Sequence, residues 1–291
     1  MYEKINNCPT CNHIKFNNYK IVKDHSISGE SFALVQCDNC GLIITNPRPD
    51  KSHIGKFYES ENYISHSNSS NGLVSILYKA VRSYTLNSKI RLIKKYNPNP
   101  KLLDYGCGTG HFLNKCQSIN WDVNGIEPNP NANDHASSNT GLNISSDLSQ
   151  LPNNDSFDII TAWHVLEHVH DLNDTFSNLK KALTTSGHMF VALPNYKSAD
   201  AQHYDSQWAG YDVPRHLYHF SQRTISTFIK KHKMTIVDTV PMPFDAYYVS
   251  LLSEKYKGKS DLFEAFSQGY DSNKKAKLST DYSSLIYVIK K

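Results

Sequence analysis

No stretch of this chain is apolar for long enough to cross a bilayer. Runs such as "HMFVALP" fall far short of the ~20 residues a spanning helix needs. The opening residues "MYEKINNCPTCNH" hold no apolar core of the secretory kind, so a cytoplasmic protein is the expectation. Neither sign of charge dominates: 31 Lys and Arg stand against 27 Asp and Glu, a net +4. That does not suggest a polybasic nucleic-acid binder, and it leaves room for a local basic face. Six cysteines in 291 residues are too few for a disulfide framework. There is no internal repeat, and no glycine loop is followed by the Lys-Ser/Thr of a nucleotide-binding Walker loop.

What is present is an ordered alternation. "LVSILYKAVRSYTLNSKIRLIKKY" places Leu73, Ile76, Leu77, Ala80, Val81 and Tyr84 at helical spacing, and the prolines of "NPNP" end it. From there "KLLDYG", "DVNGIEP", "LNISSD", "FDIITAW" and "HMFVALPN" read as strands. "HFLNKCQSIN", "NANDHASSN" and "LNDTFSNLKKALTTSG" read as intervening helices, the last stopped by Gly187. "SQRTISTFIKKHK" is a further helix with Ser221 as N-cap, before the strands "TIVDTV" and "SSLIYVIKK". Such alternation implies an α/β fold: a largely parallel sheet with helices on both faces. The Tyr- and Lys-rich segment 241–280 carries no clear period.

Four of the cysteines form two C-x2-C pairs, Cys8/Cys11 and Cys37/Cys40. Each pair is a knuckle that aims two thiolates at one ion, and two knuckles complete a closed tetrahedral zinc site. Such a site leaves no open coordination position, so its zinc is structural. Cys107 and Cys116 stand alone and read as packing residues.

Gly106, Gly108 and Gly110 follow the strand "LLDY", where backbone without side chains admits a ligand at close range. A dinucleotide fingerprint would need glycine at 111, which is His111. Glu127 ends the next strand, where a carboxylate accepts hydrogen bonds from ribose hydroxyls. Asp147 ends the weak third strand and is placed for an exocyclic amine of adenine. Asp104 and the Gly106 region are placed for an ammonium group.

Residues 100–195 resemble the core of class I S-adenosylmethionine-dependent methyltransferases. "LLDYGCGTGHFL" resembles their glycine motif, "GIEPN" the ribose motif and "SSDLSQLP" the adenine motif. "FDIITAWHVLEHV" and "LKKALTTSGHMFVALPN" are similar to the units that follow. The resemblance implies a Rossmann-like seven-stranded sheet with its last strand antiparallel. It also implies a cofactor held by Gly106, Gly108, Gly110, Glu127, Asp147 and Leu148, with Trp163 and His164 near its methionine end. Within the small-molecule enzymes, "HVLEH" is similar to the Glu-x-x-Glu-His pattern of the ubiquinone-biosynthesis O-methyltransferases, with His164 in the first position. His164, Glu167 and His168 would share a helix face, either holding a divalent ion or bracing the helix.

Methyl transfer from a sulfonium needs alignment and, for an oxygen nucleophile, a base. "HYDSQWAGYDVPRHLYHFS" follows the fifth strand, and its "DVPRHLYHFS" resembles a signature of small-molecule methyltransferases. His216 is the first candidate base and His164 the second. Arg215 is a candidate for a carboxylate or phosphate of the acceptor, and Tyr218, His219, Tyr247 and Tyr248 for the acceptor pocket. The expected domains are a zinc-ribbon-like module at 1–46, a linker at 47–72 and a methyltransferase domain at 73–291, with a lid near 196–221 and a C-terminal segment 241–280. The expected acceptor is a hydroxyl of a sugar, lipid-linked, phenolic or quinone-like metabolite. Two alternatives stay open. Sugar C-methyltransferases also carry zinc modules, and some ribosomal RNA guanine methyltransferases have a zinc ribbon before this fold, where Lys15, Lys20, Lys23, Arg48 and Lys51 would form a basic face.

Overall fold

The structure, a computed structural model, describes residues 1–58, 73–151, 156–259 and 261–291, with side chains of the first long helix described from residue 81. The expected apolar face at Leu73, Ile76, Leu77 and Ala80 and most of the Ser/Asn-rich linker lie outside these. Along the chain come β1 (Tyr2–Glu3), β2 (Phe16–Lys23), β3 (Ser31–Cys37), β4 (Ile43–Thr45) and β5 (Arg48–Pro49), then α1 (Leu73–Lys94). The alternating part follows: β6 (Lys101–Tyr105), α2 (His111–Gln117), β7 (Asp122–Ile126), α3 (Pro130–Thr140), β8 (Phe157–Trp163), α4 (Leu172–Ala182) and β9 (Leu183–Pro194). The remainder is α5 (Ala199–Tyr204), β10 (Tyr218–His219), α6 (Gln222–Lys231), β11 (Thr235–Pro241), α7 (Pro243–Tyr256), α8 (Leu262–Ser279) and β12 (Ser284–Lys290).

One sheet runs β11-β12-β9-β8-β6-β7 and a second runs β10-β4-β3-β2. β6 lies parallel to both β7 and β8, as short strands joined through helices must. The fold class is the α/β one expected, with six described strands in place of seven. The expected third strand "LNISSD" contributes only a bridge between Ile126 and Ser145. Its apolar content is too low to hold a full ladder. α4 ends at Ala182, not at Gly187. Gly187 sits inside β9, where an added Cβ would come within 2.8 Å of the Asp158 carbonyl oxygen. That glycine serves a close backbone approach and not a helix stop. Ser221 caps α6 in a reciprocal capping box with Thr224. Segment 241–280 is mostly α7 and α8. Gly269 of α8 lets Tyr247 pack against its backbone, since a Cβ there would lie 2.7 Å from the Tyr247 ring.

Two compact units emerge. One is Met1–Ser60 with Leu166–Asn173 and Ala192–Tyr287; the other is Glu61–Val165 with Asp174–Val191 and Val288–Lys291. This division differs from the expected boundaries at 46 and 72. β10, from the expected lid, pairs antiparallel with β4, Tyr218 against Ile44 and His219 against Ile43. Val22, Phe32, Leu34 and Ile43 of the N-terminal strands share a core with Tyr204, Trp208 and Tyr211. A 46-residue ribbon buries too little apolar surface to hold alone, and the later segment supplies what is missing.

Candidate functional site

In the second unit, the β6–α2 turn carries Gly106, Gly108 and Gly110 at φ +73°, +55° and +79°. This left-handed backbone is why glycines are needed there. Gly106 also meets a wall: a Cβ would lie 2.6 Å from Val165 Cγ2. Across the turn, Glu127 accepts the Gly108 N–H at 2.9 Å and the Asn129 N–H at 2.9 Å. Burial pushes its carboxyl up, and those two N–H donors oppose the shift. Each oxygen keeps acceptor capacity for a hydroxyl. Asp147 is exposed and caps a short turn, accepting the Ser149 N–H at 2.8 Å, with Leu148 following it.

Asp104, 1% exposed, accepts Thr161 Oγ1–H at 2.6 Å. Its carboxyl is pushed up to about 7, first by burial and further by the nearby Glu127 charge; Thr161 and Lys89 pull the other way. Trp163, at the end of β8, stands edge-on to Phe112 at 5.4 Å, with Lys89 Nζ 4.2 Å from its ring centre. Its indole Nε1 is buried with no hydrogen-bond partner. His164 follows at φ +58°, a strained conformation for a non-glycine residue. The residues 166–168 form a 3-10 turn and no α-helix, so His164, Glu167 and His168 do not share a helix face as expected. Cys107 and Cys116 are buried thiols pushed up by that burial, which keeps them inert.

The first unit gathers the four paired cysteines. Cys8 Sγ lies 3.5 Å from Cys40 Sγ and Cys11 Sγ 3.5 Å from Cys37 Sγ, and all four sulfurs fall within 4.8 Å of one another. No pair is bonded as a disulfide. Tetrahedral Zn–S bonds of about 2.3 Å put sulfurs roughly 3.8 Å apart, so the residues fit the ion.

The same unit holds the histidine-rich segment. His216 is 8% exposed, and its Nδ1 donates to the Gly210 carbonyl at 3.0 Å, which leaves Nε2 as the acceptor. Asp212 Oδ2 lies 4.0 Å from that Nε2. The His168 ring meets it edge-on at 4.5 Å. Burial, reinforced by His216, brings the His168 imidazole down to about 4 and holds His219 well below the usual histidine range. Both are therefore neutral at pH 7. Glu167, His168 and His216 place ligand atoms within 4.8 Å of one another, a grouping the linear motif did not show.

Three expected acceptor residues are spent on the fold. Arg215, 1% exposed, donates to Asp212 at 2.6 and 3.0 Å, to Asp24 at 3.2 Å and to the Phe57 carbonyl at 3.1 Å. It has no donor edge turned to an acceptor carboxylate or phosphate. Tyr218 is buried, its hydroxyl donating to the His170 carbonyl and receiving Arg48 Nη1. His219 is buried against the Thr45 hydroxyl at 3.2 Å. Tyr247 and Tyr248 lie on α7; Tyr247 packs on Phe266, and Tyr248 is 45% exposed. Sequence reasoning missed Thr161, Lys89 and Asp24. Thr161 pairs with Asp104 in the β6–β8 register, which no local pattern records.

Comparison with known proteins fits this picture. Residues 78–238, more than half of the chain, match the model of a family described as a methyltransferase domain. The ubiquinone biosynthesis O-methyltransferase of Bartonella tribocorum is 27% identical over 163 residues, 50% of this chain; the chain spans 65% of that relative, just under two thirds of its length. The crystal structure of magnesium protoporphyrin IX methyltransferase from Synechocystis PCC 6803, solved with bound SAH, gives a TM-score of 0.54 over 83% of this chain and 100% of that one, at 14% identity. A StiE O-MT structure gives 0.50 over 76% and 78%, at 15% identity. At such identities the two structures share the fold alone.

Proposed function

The chain belongs to the methyltransferase-domain family, and on that premise we propose that it transfers a methyl group from S-adenosylmethionine to a small-molecule acceptor. The observation that carries this reading is the Gly106–Gly110 turn at positive φ with the Glu127 carboxylate drawn against it. In this reading the bare backbone receives the amino-acid end of the cofactor, and Asp104 meets its ammonium group. Glu127 binds the ribose hydroxyls, Asp147 and Leu148 hold adenine, and Trp163 and His164 lie toward the methionine end.

The sulfonium brings an activated methyl, so the protein's task is to orient the nucleophile and exclude water. We assign His216 as the base: Nδ1–H is anchored on a carbonyl, Nε2 is the acceptor, and Asp212 stabilises the imidazolium that forms. An oxygen acceptor of sugar, lipid-linked, phenolic or quinone-like type suits such a base. The Bartonella relative, an O-methyltransferase by name, supports oxygen as the acceptor atom. The four cysteines hold a structural zinc that pins the N-terminal strands.

Small molecules are favoured over RNA by what the basic residues do. Arg48 is 4% exposed and bound to Glu3, Lys20 is paired with Asp205 and Lys51 with Asp171. Of the five expected phosphate-binding cations, Arg48 is thereby taken up inside the fold, and Lys20 and Lys51 each already face a carboxylate. The test is calorimetry with S-adenosylmethionine and with ribosomal RNA at two salt concentrations, followed by an acceptor screen reading S-adenosylhomocysteine release. Cofactor binding with turnover on hydroxylated metabolites supports the proposal. Absence of cofactor binding, or tight salt-sensitive RNA binding, overturns it.

A further inference from the structure

Three helices of the first unit, α5, α7 and α8, bring together His203, Glu254 and Glu264, none of which has been given a role above. Their ligand atoms lie within 4.8 Å of one another. Glu254 is 1% exposed. Its Oε1 receives Lys257 Nζ at 3.0 Å, but its Oε2 is buried with no hydrogen-bond partner. A buried carboxylate oxygen left unmatched is costly and calls for an explanation. It is not alone. Tyr204 Oη and Ser250 Oγ are also buried, and although the tyrosine hydroxyl lies beside Ser250 and Glu254, none of the three closes a hydrogen bond of good geometry. The three oxygens face one another, and Glu254 Oε2 remains the buried charged atom without a well-formed hydrogen bond. Glu264 adds a second carboxylate to the group, and like charges that close repel unless a cation stands between them.

We propose that His203, Glu254 and Glu264 bind one divalent transition-metal ion. One imidazole and two carboxylates are the hard and borderline donors that manganese or zinc accepts, and they leave positions for water, which would also satisfy Tyr204 and Ser250. The outer partners are in place: Lys257 fixes one oxygen of Glu254, and Gln268 Nε2 donates to Glu264 Oε1 at 2.8 Å. His203 is exposed, so the ion enters from its side and the imidazole is free to close on it. The ion would tie α5 to α7 and α8, so its binding free energy becomes stability of this helical cluster. The proposal does not depend on the methyl-transfer reading.

Manganese(II) is titrated into protein carrying one zinc per chain, the amount the four cysteines hold. Electron paramagnetic resonance reads the free ion, and thermal unfolding reads stability. One ion per chain is expected, with a rise in melting temperature. His203→Ala, at an exposed position that the fold tolerates, and Glu264→Gln should each weaken binding at least tenfold, and circular dichroism reports whether they fold. His216→Ala should leave it unchanged. No binding by the wild type would mean that water fills the place and overturns the proposal. So would binding that survives His203→Ala and Glu264→Gln, or that His216→Ala abolishes.

Discussion

Replacing Asp104 by Asn removes a carboxyl that the fold keeps almost wholly from water. In the folded protein this group is held at about 7, against about 3.9 in an unfolded chain. Between those values the native state binds a proton that the unfolded state does not, so stability falls as pH rises. The slope is about 1.4 kcal/mol per pH unit, and the loss is complete above pH 7 at an upper bound on the order of 4 kcal/mol. Asparagine keeps an oxygen to accept the Thr161 hydroxyl but cannot ionise. Asp104→Asn should therefore match the wild type near pH 4 and exceed it by a few kcal/mol at pH 8. Urea unfolding of both proteins at pH 4.5, 6 and 8 measures the difference, and the other titrating groups cancel in it. The same variant should bind S-adenosylmethionine more weakly at pH 8, because the cofactor's ammonium loses its counter-charge. A stability difference that does not change with pH would refute the argument, as would one that grows in the opposite direction.

Gly106→Ala combines a left-handed backbone, costing about 1–2 kcal/mol, with a Cβ 2.6 Å from Val165; calorimetry should show cofactor affinity down at least tenfold, and wild-type affinity would remove the loop from the site. Arg215→Met leaves Asp24 and Asp212 facing each other without a cation, and denaturant unfolding should show a loss of about 3–5 kcal/mol; a loss under 1 kcal/mol would contradict the buried network. His216→Ala should leave cofactor affinity intact while lowering turnover about 10²–10⁴-fold; unaltered turnover would dismiss it as the base. A strong chelator should remove one zinc per chain and lower the melting temperature, and Cys37→Ser should contain none; a metal-free protein of unchanged stability would argue against the four-sulfur centre.

Sequence alone determined the features that are local. The alternation of apolar runs and amphipathic segments set the α/β class, because strand and helix periods are written in nearest neighbours. The glycine turn was legible because positive φ excludes most other residues, and the two C-x2-C pairs because a knuckle is a four-residue object. Tertiary structure decided what depends on distant neighbours. Arg215 reads in sequence as a ligand for an anion, yet Asp24, far away in the chain, takes its charge. Tyr218 and His219 read as pocket residues, yet β10 joins the N-terminal strands and buries them. Asp104 owes its raised pKa to burial, against which a threonine set opposite it by strand register pulls only part of the way back. Glu254 and Glu264 meet His203 only where three helices distant in the chain pack together. Burial and pairing are sums over the whole chain, and no window of residues contains them.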